Sequence, residues 1–294
     1  MNELNLFLGL GFSGLVRAEV VFVVAAGLTL IFGVVKIINF AHGSFYMVGA
    51  FIAYSVVRIM PASDGAFWVT LVVAAAVIAA IGIITEVLLL RPIYARAHLF
   101  QILLTYGLTL VIADLVRIIW GTAFKTISPP LLLSGSLTLM GRSYSTFYLF
   151  VIGLGIAVLI GMWLMLEKTR FGLFVRAASL DSEMLGTLGI NVPLLLTAVF
   201  TVGSALAGFA GAVIAPSVSI DPGMDASMLT EAFLVIVIGG MGSIWGAFLA
   251  SIIIGEVFAF GTLPLPQFAI IFPYMIGAIV LIVRPQGLFG RAYH

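Results

Sequence analysis

The stretch "FSGLVRAEVVFVVAAGLTLIFGVV" (residues 12–35) decides the fold class of this chain. It carries charge only at Arg17 and Glu19, and the remainder is almost wholly apolar. An α-helix needs about 20 apolar residues to cross the hydrocarbon core of a bilayer, which is about 30 Å thick. The stretch therefore predicts a helix that spans a membrane.

The composition of the whole chain agrees with this prediction. Of the 294 residues, 63% are hydrophobic and 9% are charged, and the mean hydropathy is +1.27. A soluble globular domain usually has about 25% charged residues, so most of this surface must face lipid. The net charge is +1 and there are few lysines, which excludes a basic patch, so we expect no nucleic-acid partner.

The long apolar runs together predict an all-α polytopic membrane protein with about eight membrane segments. We expect these segments to form one transmembrane domain over residues 1–294. The predicted segments are 12–35, 39–57, 67–90, 99–119, 144–166, 192–215, 227–260 and 267–283.

The segment 227–260 predicts a broken helix. Its first part, "SMLTEAFLVIVIGG" (227–240), is short for a crossing, and "GGMGS" (239–243) would end a helix. We expect a half-helix that stops within the membrane and is followed by a second helix from residue 244. A weak internal repeat supports this expectation, because "GSFYMVGAFIA" (43–53) resembles "GSIWGAFLA" (242–250).

The segment 167–191 interrupts the apolar runs with a cluster of charged and hydroxyl side chains. Together with Lys36, 91–98 and 284–294, it holds more Lys and Arg than the loops on the opposite side of the predicted topology. Cytoplasmic loops carry an excess of these residues. We therefore expect 167–191 to lie on the cytoplasmic side of the membrane.

Several polar side chains fall within apolar segments, where they are costly and therefore suggest a function. The stretch "INFAHGSFY" (38–46) places three of them at a predicted helix break. Our candidates for lining the pathway or its gate are Asn39, His42, Ser44, Glu231 and Glu256.

Structural explanations for these and other intramembrane charges stay open. His42 could be a satisfied packing residue, and Glu231 could complement the helix dipole in the first turn of its helix. Asp114 and Arg117 are three residues apart and could pair on one helix face. Glu86 precedes Arg91 and could lie near the membrane interface.

The chain has no pattern typical of an enzyme or of a metal site. It has no cysteines, and His42, His98 and His294 are far apart in sequence. No Gly-Lys pair occurs, which excludes a phosphate-binding P-loop, and no H-E-x-x-H motif occurs. We therefore expect no catalytic residue, no metal site and no cofactor in this chain.

Four stretches of the chain resemble one family of transport proteins. They are "GLTLIFGVVKIINFAHGSFYMVGA" (27–50), "RAASLDSEMLGTLGIN" (176–191), "GGMGSIWGA" (239–247) and "RPQGLFG" (284–290). Together they look like the LivH-type permease of branched-chain amino acid ATP-binding-cassette (ABC) importers, over roughly residues 12–290.

The resemblance implies that 167–191 is a coupling loop that docks into a cleft on a separate ATPase subunit. A single short helix after Phe174 would carry most of the coupling residues along one side, at spacings of three or four. Met184 and the leucines would then fill an apolar groove, while the charged residues make contacts at its rim. The coupling residues that we expect are Arg176, Ala177, Leu180, Asp181, Met184, Leu188 and Gly189.

The loop departs from the pattern of many ABC importers, in which Glu-Ala-Ala is followed three residues later by Gly. Here the sequence is "AASLDSEMLG" (177–186), so the residue that contacts the ATPase stays open.

The resemblance also implies the partners and the location of the chain. The partners would be a LivM-like second permease, two LivG/LivF-like ATPase subunits that hold ATP and Mg²⁺, and a periplasmic or extracellular substrate-binding protein. The assembly would lie in the inner membrane of a bacterial cell or in the cell membrane of an archaeon.

Two alternatives to this interpretation stay open. Closely similar permeases serve urea, short amides and other amino acids, so the resemblance leaves a choice among small polar substrates. A stand-alone secondary transporter would instead use Glu86, Asp114, Glu231 or Glu256 as proton-coupling groups.

Overall fold

The computed structural model describes residues 3–60, 64–139, 142–263 and 266–290, so the terminal His294 lies outside the described residues. The described residues form an α-helical bundle with one antiparallel pair of strands. The helices are α1 (Glu3–Val35), α2 (Ala41–Ile59), α3 (Asp64–Ile84), α4 (His98–Trp120), α5 (Thr146–Lys168), α6 (Arg170–Leu180), α7 (Ser182–Thr187), α8 (Val192–Ile214), α9 (Met224–Gly239), α10 (Ile244–Gly261) and α11 (Ile271–Val283). The strands are β1 (Ser136–Leu139) and β2 (Arg142–Ser145).

Among the described helices, six are long and apolar enough to cross a membrane, namely α1, α3, α4, α5, α8 and α10. This finding confirms the all-α polytopic class, but the expected number of about eight segments is not confirmed. Helices α9 and α11 have 16 and 13 residues. At about 1.5 Å per residue, both are shorter than the hydrocarbon core.

Helix α1 lies at the centre of the bundle and packs against α5, α8, α9 and α10. Its side chains Phe22, Leu28 and Ile31 are fully buried. The helix begins at Glu3, more than two turns before the start expected at residue 12. The apolar run therefore marked the span correctly but missed the first turns of the helix.

Glycines allow α8 to approach α2 closely. A Cβ atom at Gly211 would collide with the backbone of Tyr46, and one at Gly49 would collide with the backbone of Gly208. Within lipid the hydrophobic effect does not drive helices together, so their association depends on close van der Waals packing. Small residues at the helix crossings allow that packing. These glycines thus serve helix packing.

The two ends of the bundle differ in structure. We call the end that carries α6 and α7 the α6–α7 end, and the opposite end, with β1 and β2, the hairpin end. Helix α5 begins directly after β2 and ends one residue before α6, so it connects the two ends. An antiparallel bridge between Lys125 and Ile220 joins two loops at the hairpin end.

Helix α2 begins inside the bundle. The Nε2 atom of His42, in its first turn, lies 3.0 Å from the carbonyl oxygen of Val24 on α1. Val24 precedes the last residue of α1 by about 11 residues, or about 16 Å along the helix axis. The connection 36–40, which starts with a positive φ of 57° at Lys36, therefore folds back along α1 before α2 starts.

The break in segment 227–260 lies where α9 ends and α10 begins, as a turn of four residues at 240–243. Gly240 and Gly242 in this turn take φ angles of +97° and +84°. Such angles are strained for other residues and are readily adopted by glycine. The sequence "GGMGS" therefore predicted the turn correctly.

The depth of this turn differs from our expectation of a stop within the membrane. Gly242 packs against Gly33, near the last residue of α1, at the α6–α7 end. The carbonyl groups of Ile238 and Gly239 accept hydrogen bonds from Leu288 and Phe289, at 2.8 Å and 3.0 Å. The short helix α9 is thus truncated at its beginning, because the chain after α8 returns into the bundle before α9 starts.

Candidate functional site

A cluster of polar side chains lies where the first turns of α2 and α9 meet. Ser44 donates to the carboxylate Oδ2 of Asp225 at 3.1 Å. His42 contacts the carbonyl oxygen of Val24, and Asn39 accepts a hydrogen bond from the backbone N–H of Ala41 at 3.1 Å. The side chains of Asn39, His42, Ser44 and Asp225 are all buried. The three predicted pathway residues of this stretch are thus all buried at the start of α2, and Ser44 is the one bonded to α9.

Asp225 is a member of this cluster that the sequence analysis missed. It lies in the first turn of α9, which begins at Met224. A carboxylate at that position is stabilised by the helix dipole, the role that we had considered as one explanation for Glu231. That explanation was wrong because the helix starts three residues earlier than the apolar run suggested.

Glu231 instead forms an ion pair with Arg17 of α1. Both side chains line an open cavity of about 560 Å³, formed mainly by α1, α9, α10 and α11. Tyr148, Ser217 and Ser219 also line it, so the cavity lies towards the hairpin end. The sequence analysis missed this pairing, because the two residues are 214 positions apart in the chain.

Glu256 lies away from this cavity. Its carboxylate packs against Gly14 of α1, and its Oε2 atom has no hydrogen-bond partner within the described residues. Glu19 is similar, since it is buried against Gly155 of α5 and its Oε2 is also unpartnered there. The apolar run that contains Glu19 gave no sign of this burial.

Glu86 lies fully buried near the α6–α7 end, in a π-helical stretch (Thr85–Leu90) that continues α3. Its carboxylate pairs with Arg91 at 2.9 Å, and the hydroxyl groups of Thr197 and Tyr94 donate to it at 2.8 Å and 3.0 Å. Burial and the nearby carboxylate raise the pKa of Tyr94, so the phenol stays protonated and donates. The network ties the end of α3 to α8.

Asp114 and Arg117 form the expected ion pair on α4, at 2.8 Å. Both side chains are exposed on the outer face of the helix. The pair therefore neutralises two charges on one surface, without contact to the cavity or to the buried cluster.

The segment 167–191 forms two helices and not the single helix that we expected. Helix α6 ends at Leu180, and Asp181 caps α7 by accepting a hydrogen bond from the backbone N–H of Met184 at 2.9 Å. Aspartate favours this N-cap position because its side chain satisfies a free N–H group of the first turn. The chain direction therefore changes at Asp181.

The expected coupling residues divide into exposed and inward-facing groups. The side chains of Leu180, Met184 and Leu188 are 74%, 61% and 70% exposed. Arg176 instead pairs with Glu167 of α5 at 3.2 Å, and Ala177 packs against the core. Gly189 ends the segment with a φ of +82°. The structure thus leaves three apolar side chains free and uses Arg176 and Ala177 to hold α6.

Comparisons with known proteins identify the family. The chain matches the family described as "Branched-chain amino acid transport system / permease component" over residues 11–284. No solved structure matches the chain.

Individual relatives are similar over most of their length. The high-affinity branched-chain amino acid transport system permease protein BraD of Pseudomonas aeruginosa is 28% identical over 302 residues, covering 99% of this chain and 98% of that protein. The corresponding LivH protein of Escherichia coli is 26% identical over 299 residues, with 97% and 96% covered. The probable branched-chain amino acid transport permease LivH of Methanocaldococcus jannaschii is 28% identical over 252 residues, with 82% and 76% covered.

These relatives are transport components and not enzymes. With the apolar helices of the bundle, they establish a multi-pass protein of a bacterial or archaeal cell membrane. Since the family match spans nearly the whole chain, this protein belongs to the permease family of branched-chain amino acid transport systems.

Proposed function

We propose that this chain is a permease subunit of an ABC importer for branched-chain amino acids, and that residues 167–191 couple it to separate ATPase subunits. The observation that carries the proposal is the group of exposed apolar side chains Leu180, Met184 and Leu188. We call these three residues the docking surface. Their segment is charged and polar, and it joins two spanning helices, α5 and α8.

An ATPase cleft fits the docking surface better than a lipid headgroup layer does. Exposed apolar side chains in a polar setting are typical of a protein contact, and methionine adapts well to an apolar groove. Asp181 and Glu183 are exposed beside them. Their negative charges would be repelled by the anionic lipids of a cytoplasmic leaflet.

The segment is held firmly enough to transmit motion from such a partner. Gly172 of α6 packs against the backbone of Leu166, near the end of α5, and the ion pair of Arg176 with Glu167 joins the same two helices. Leu185 of α7 is buried. A displacement of the docking surface would therefore move α5 and α8, and nucleotide binding would shift the balance between two conformations of the bundle.

The proposal also specifies the partner subunits and the subunits that bind the nucleotide. A LivM-like second permease would complete the pathway, two LivG/LivF-like ATPases would bind ATP and Mg²⁺, and an external binding protein would deliver the substrate. The chain itself would need no cofactor and no P-loop. The names of the relatives support branched-chain amino acids as the substrate.

The described contacts give the stand-alone secondary transporter less support. Three of its four expected proton-coupling carboxylates, Glu86, Asp114 and Glu231, are paired with arginines. Each of these carboxylates is thus already engaged by a cation of the same chain.

A single substitution in the docking surface tests the proposal. We expect Met184→Arg to abolish co-purification of the ATPases and ATP-driven leucine uptake in vesicles, because a charge would enter an apolar groove without a partner. Leu132→Arg, at an exposed position of the hairpin end, is the matched control and should leave both intact. Retention of the ATPases by Met184→Arg, or uptake driven by a pH gradient without ATPases, would refute the coupling role.

A further inference from the structure

The ion pair of Arg17 and Glu231 lies in a cavity large enough for a small molecule. The cavity volume of about 560 Å³ falls within the range of about 300–1,000 Å³ that is usual for small-molecule sites. Apart from this pair, most of the lining is apolar, including Val20, Met228 and Ile254. The pair is only partly buried, since 36% of the Arg17 side chain and 18% of the Glu231 side chain are exposed, so both groups are accessible within a mostly apolar lining.

The arginine of this pair is held in place but is not fully satisfied. Its guanidinium carbon lies 3.8 Å from the centre of the Phe258 ring, which fixes the plane of the group. Its terminal nitrogen donates to Glu231, whereas its buried Nε has no partner within the described residues. The guanidinium of Arg17 has further N–H groups besides the one that binds Glu231, and 36% of the side chain is exposed, so it is able to bind a second acceptor.

We infer that Arg17 and Glu231 form a binding site for the zwitterionic head of a free amino acid during its passage. This inference rests on the proposed function and names the substrate class of the cavity. The α-carboxylate would bind to Arg17, and the α-ammonium would bind to Glu231. The apolar wall formed by Val20, Met228 and Ile254 would receive an aliphatic side chain.

A zwitterion can replace the ion pair of Arg17 and Glu231 with little change in charge pairing. Without substrate, Arg17 and Glu231 neutralise each other, so neither charge is left unpaired in the cavity. When the pair opens, each group gains an opposite charge from the substrate in place of the one that it loses. The site therefore binds weakly and releases readily, as a permeation path requires.

The same chemistry selects against the neutral substrates of related permeases. Urea and short amides carry no charge to replace the partner of Arg17 or of Glu231. Opening the pair for such a molecule would leave two charges uncompensated, which is costly in an apolar cavity. The site therefore favours amino acids over amides.

Thermal stability tests binding directly. The purified permease–ATPase assembly without the binding protein is heated with leucine, or with 4-methylpentanamide, which has a related aliphatic chain but no charge. We expect about 10 mM leucine to raise the melting temperature of the wild type and the amide to have no effect. The double variant Arg17→Met with Glu231→Leu should show no shift with leucine.

The double variant also separates substrate binding from a structural role. A partly exposed ion pair contributes little to stability, and its replacement by apolar residues is often neutral. A purely structural pair therefore predicts normal leucine uptake by this variant. The inference predicts that ATP-driven uptake by the complete assembly falls about tenfold or more. Glu231→Gln, which keeps the shape of the side chain, should show the same loss if the double variant assembles poorly.

The matched control is the ion pair on the outer face of α4. Asp114→Asn with Arg117→Gln removes two charges outside the cavity and should leave uptake unchanged. Normal uptake by Glu231→Gln and the double variant, or an equal or absent leucine shift in wild type and double variant, would overturn the inference while leaving the proposed function in place. A wild-type assembly that hydrolyses ATP but does not import leucine would refute the proposed function itself.

Discussion

At the scale of single residues, the carboxylates inside the bundle differ in whether they accept hydrogen bonds from another helix. Asp225 and Glu86 accept hydrogen bonds from Ser44 and Thr197, which lie on other helices. Glu19 and Glu256 each keep an Oε2 atom with no partner within the described residues. The hydrogen bonds to Asp225 and Glu86 hold helices together, because without the donor a buried carboxylate loses a hydrogen bond that water cannot replace.

Ser44→Ala tests this role at the junction of α2 and α9. The substitution removes the donor to the buried carboxylate of Asp225, and we expect it to lower the free energy of unfolding by about 1–3 kcal/mol. The melting temperature of the purified protein measures the effect. Ser251→Ala is a matched control, because Ser251 is equally buried but donates only to Phe248 on its own helix. Equal losses in both variants would contradict the role of the Ser44–Asp225 bond.

At the scale of elements, the change of direction at Asp181 shapes the docking surface. A continuous helix after Phe174 would place Leu180, Met184 and Leu188 along one side, as the sequence analysis expected. The break divides them between the end of α6, the helix α7 and the residue that follows it. The capping aspartate was visible in the sequence, but the regular spacing of apolar residues favoured an unbroken helix.

Asp181→Ala tests the contribution of this cap. Loss of the hydrogen bond to the N–H of Met184 should destabilise the first turn of α7 by about 1 kcal/mol. We expect faster hydrogen exchange in residues 182–187 and weaker retention of the ATPases. Asp181→Asn keeps a good capping side chain and should restore both properties. If Asn and Ala behave alike, the charge of Asp181 and not its capping bond is important.

At the scale of the whole molecule, the apolar runs predicted nearly every long helix, because the length of a lipid-facing run follows from the thickness of the bilayer. The apolar runs could not predict how deep within the bundle each helix begins. Helix α2 begins beside Val24 of α1, and α9 begins beside Ser44, because folded-back connections place them there. The pairing of Arg17 with Glu231 was equally hidden, since it depends on which faces of α1 and α9 meet.

The orientation of the bundle gives the last prediction. We expect the α6–α7 end to face the cytoplasm, since Lys and Arg are more abundant in its loops and the ATPases need cytoplasmic ATP.

Cysteine labelling measures this orientation. The chain has no cysteines, so single cysteines can be introduced at the exposed positions Ser182 and Ser134 without other changes. In intact cells a membrane-impermeant maleimide should label Ser134→Cys at the hairpin end, and it should label Ser182→Cys only after the cells are opened. A permeable maleimide, which should label both variants, controls for reactivity. Labelling of Ser182→Cys in intact cells would place the docking surface outside, where no ATPase could reach it.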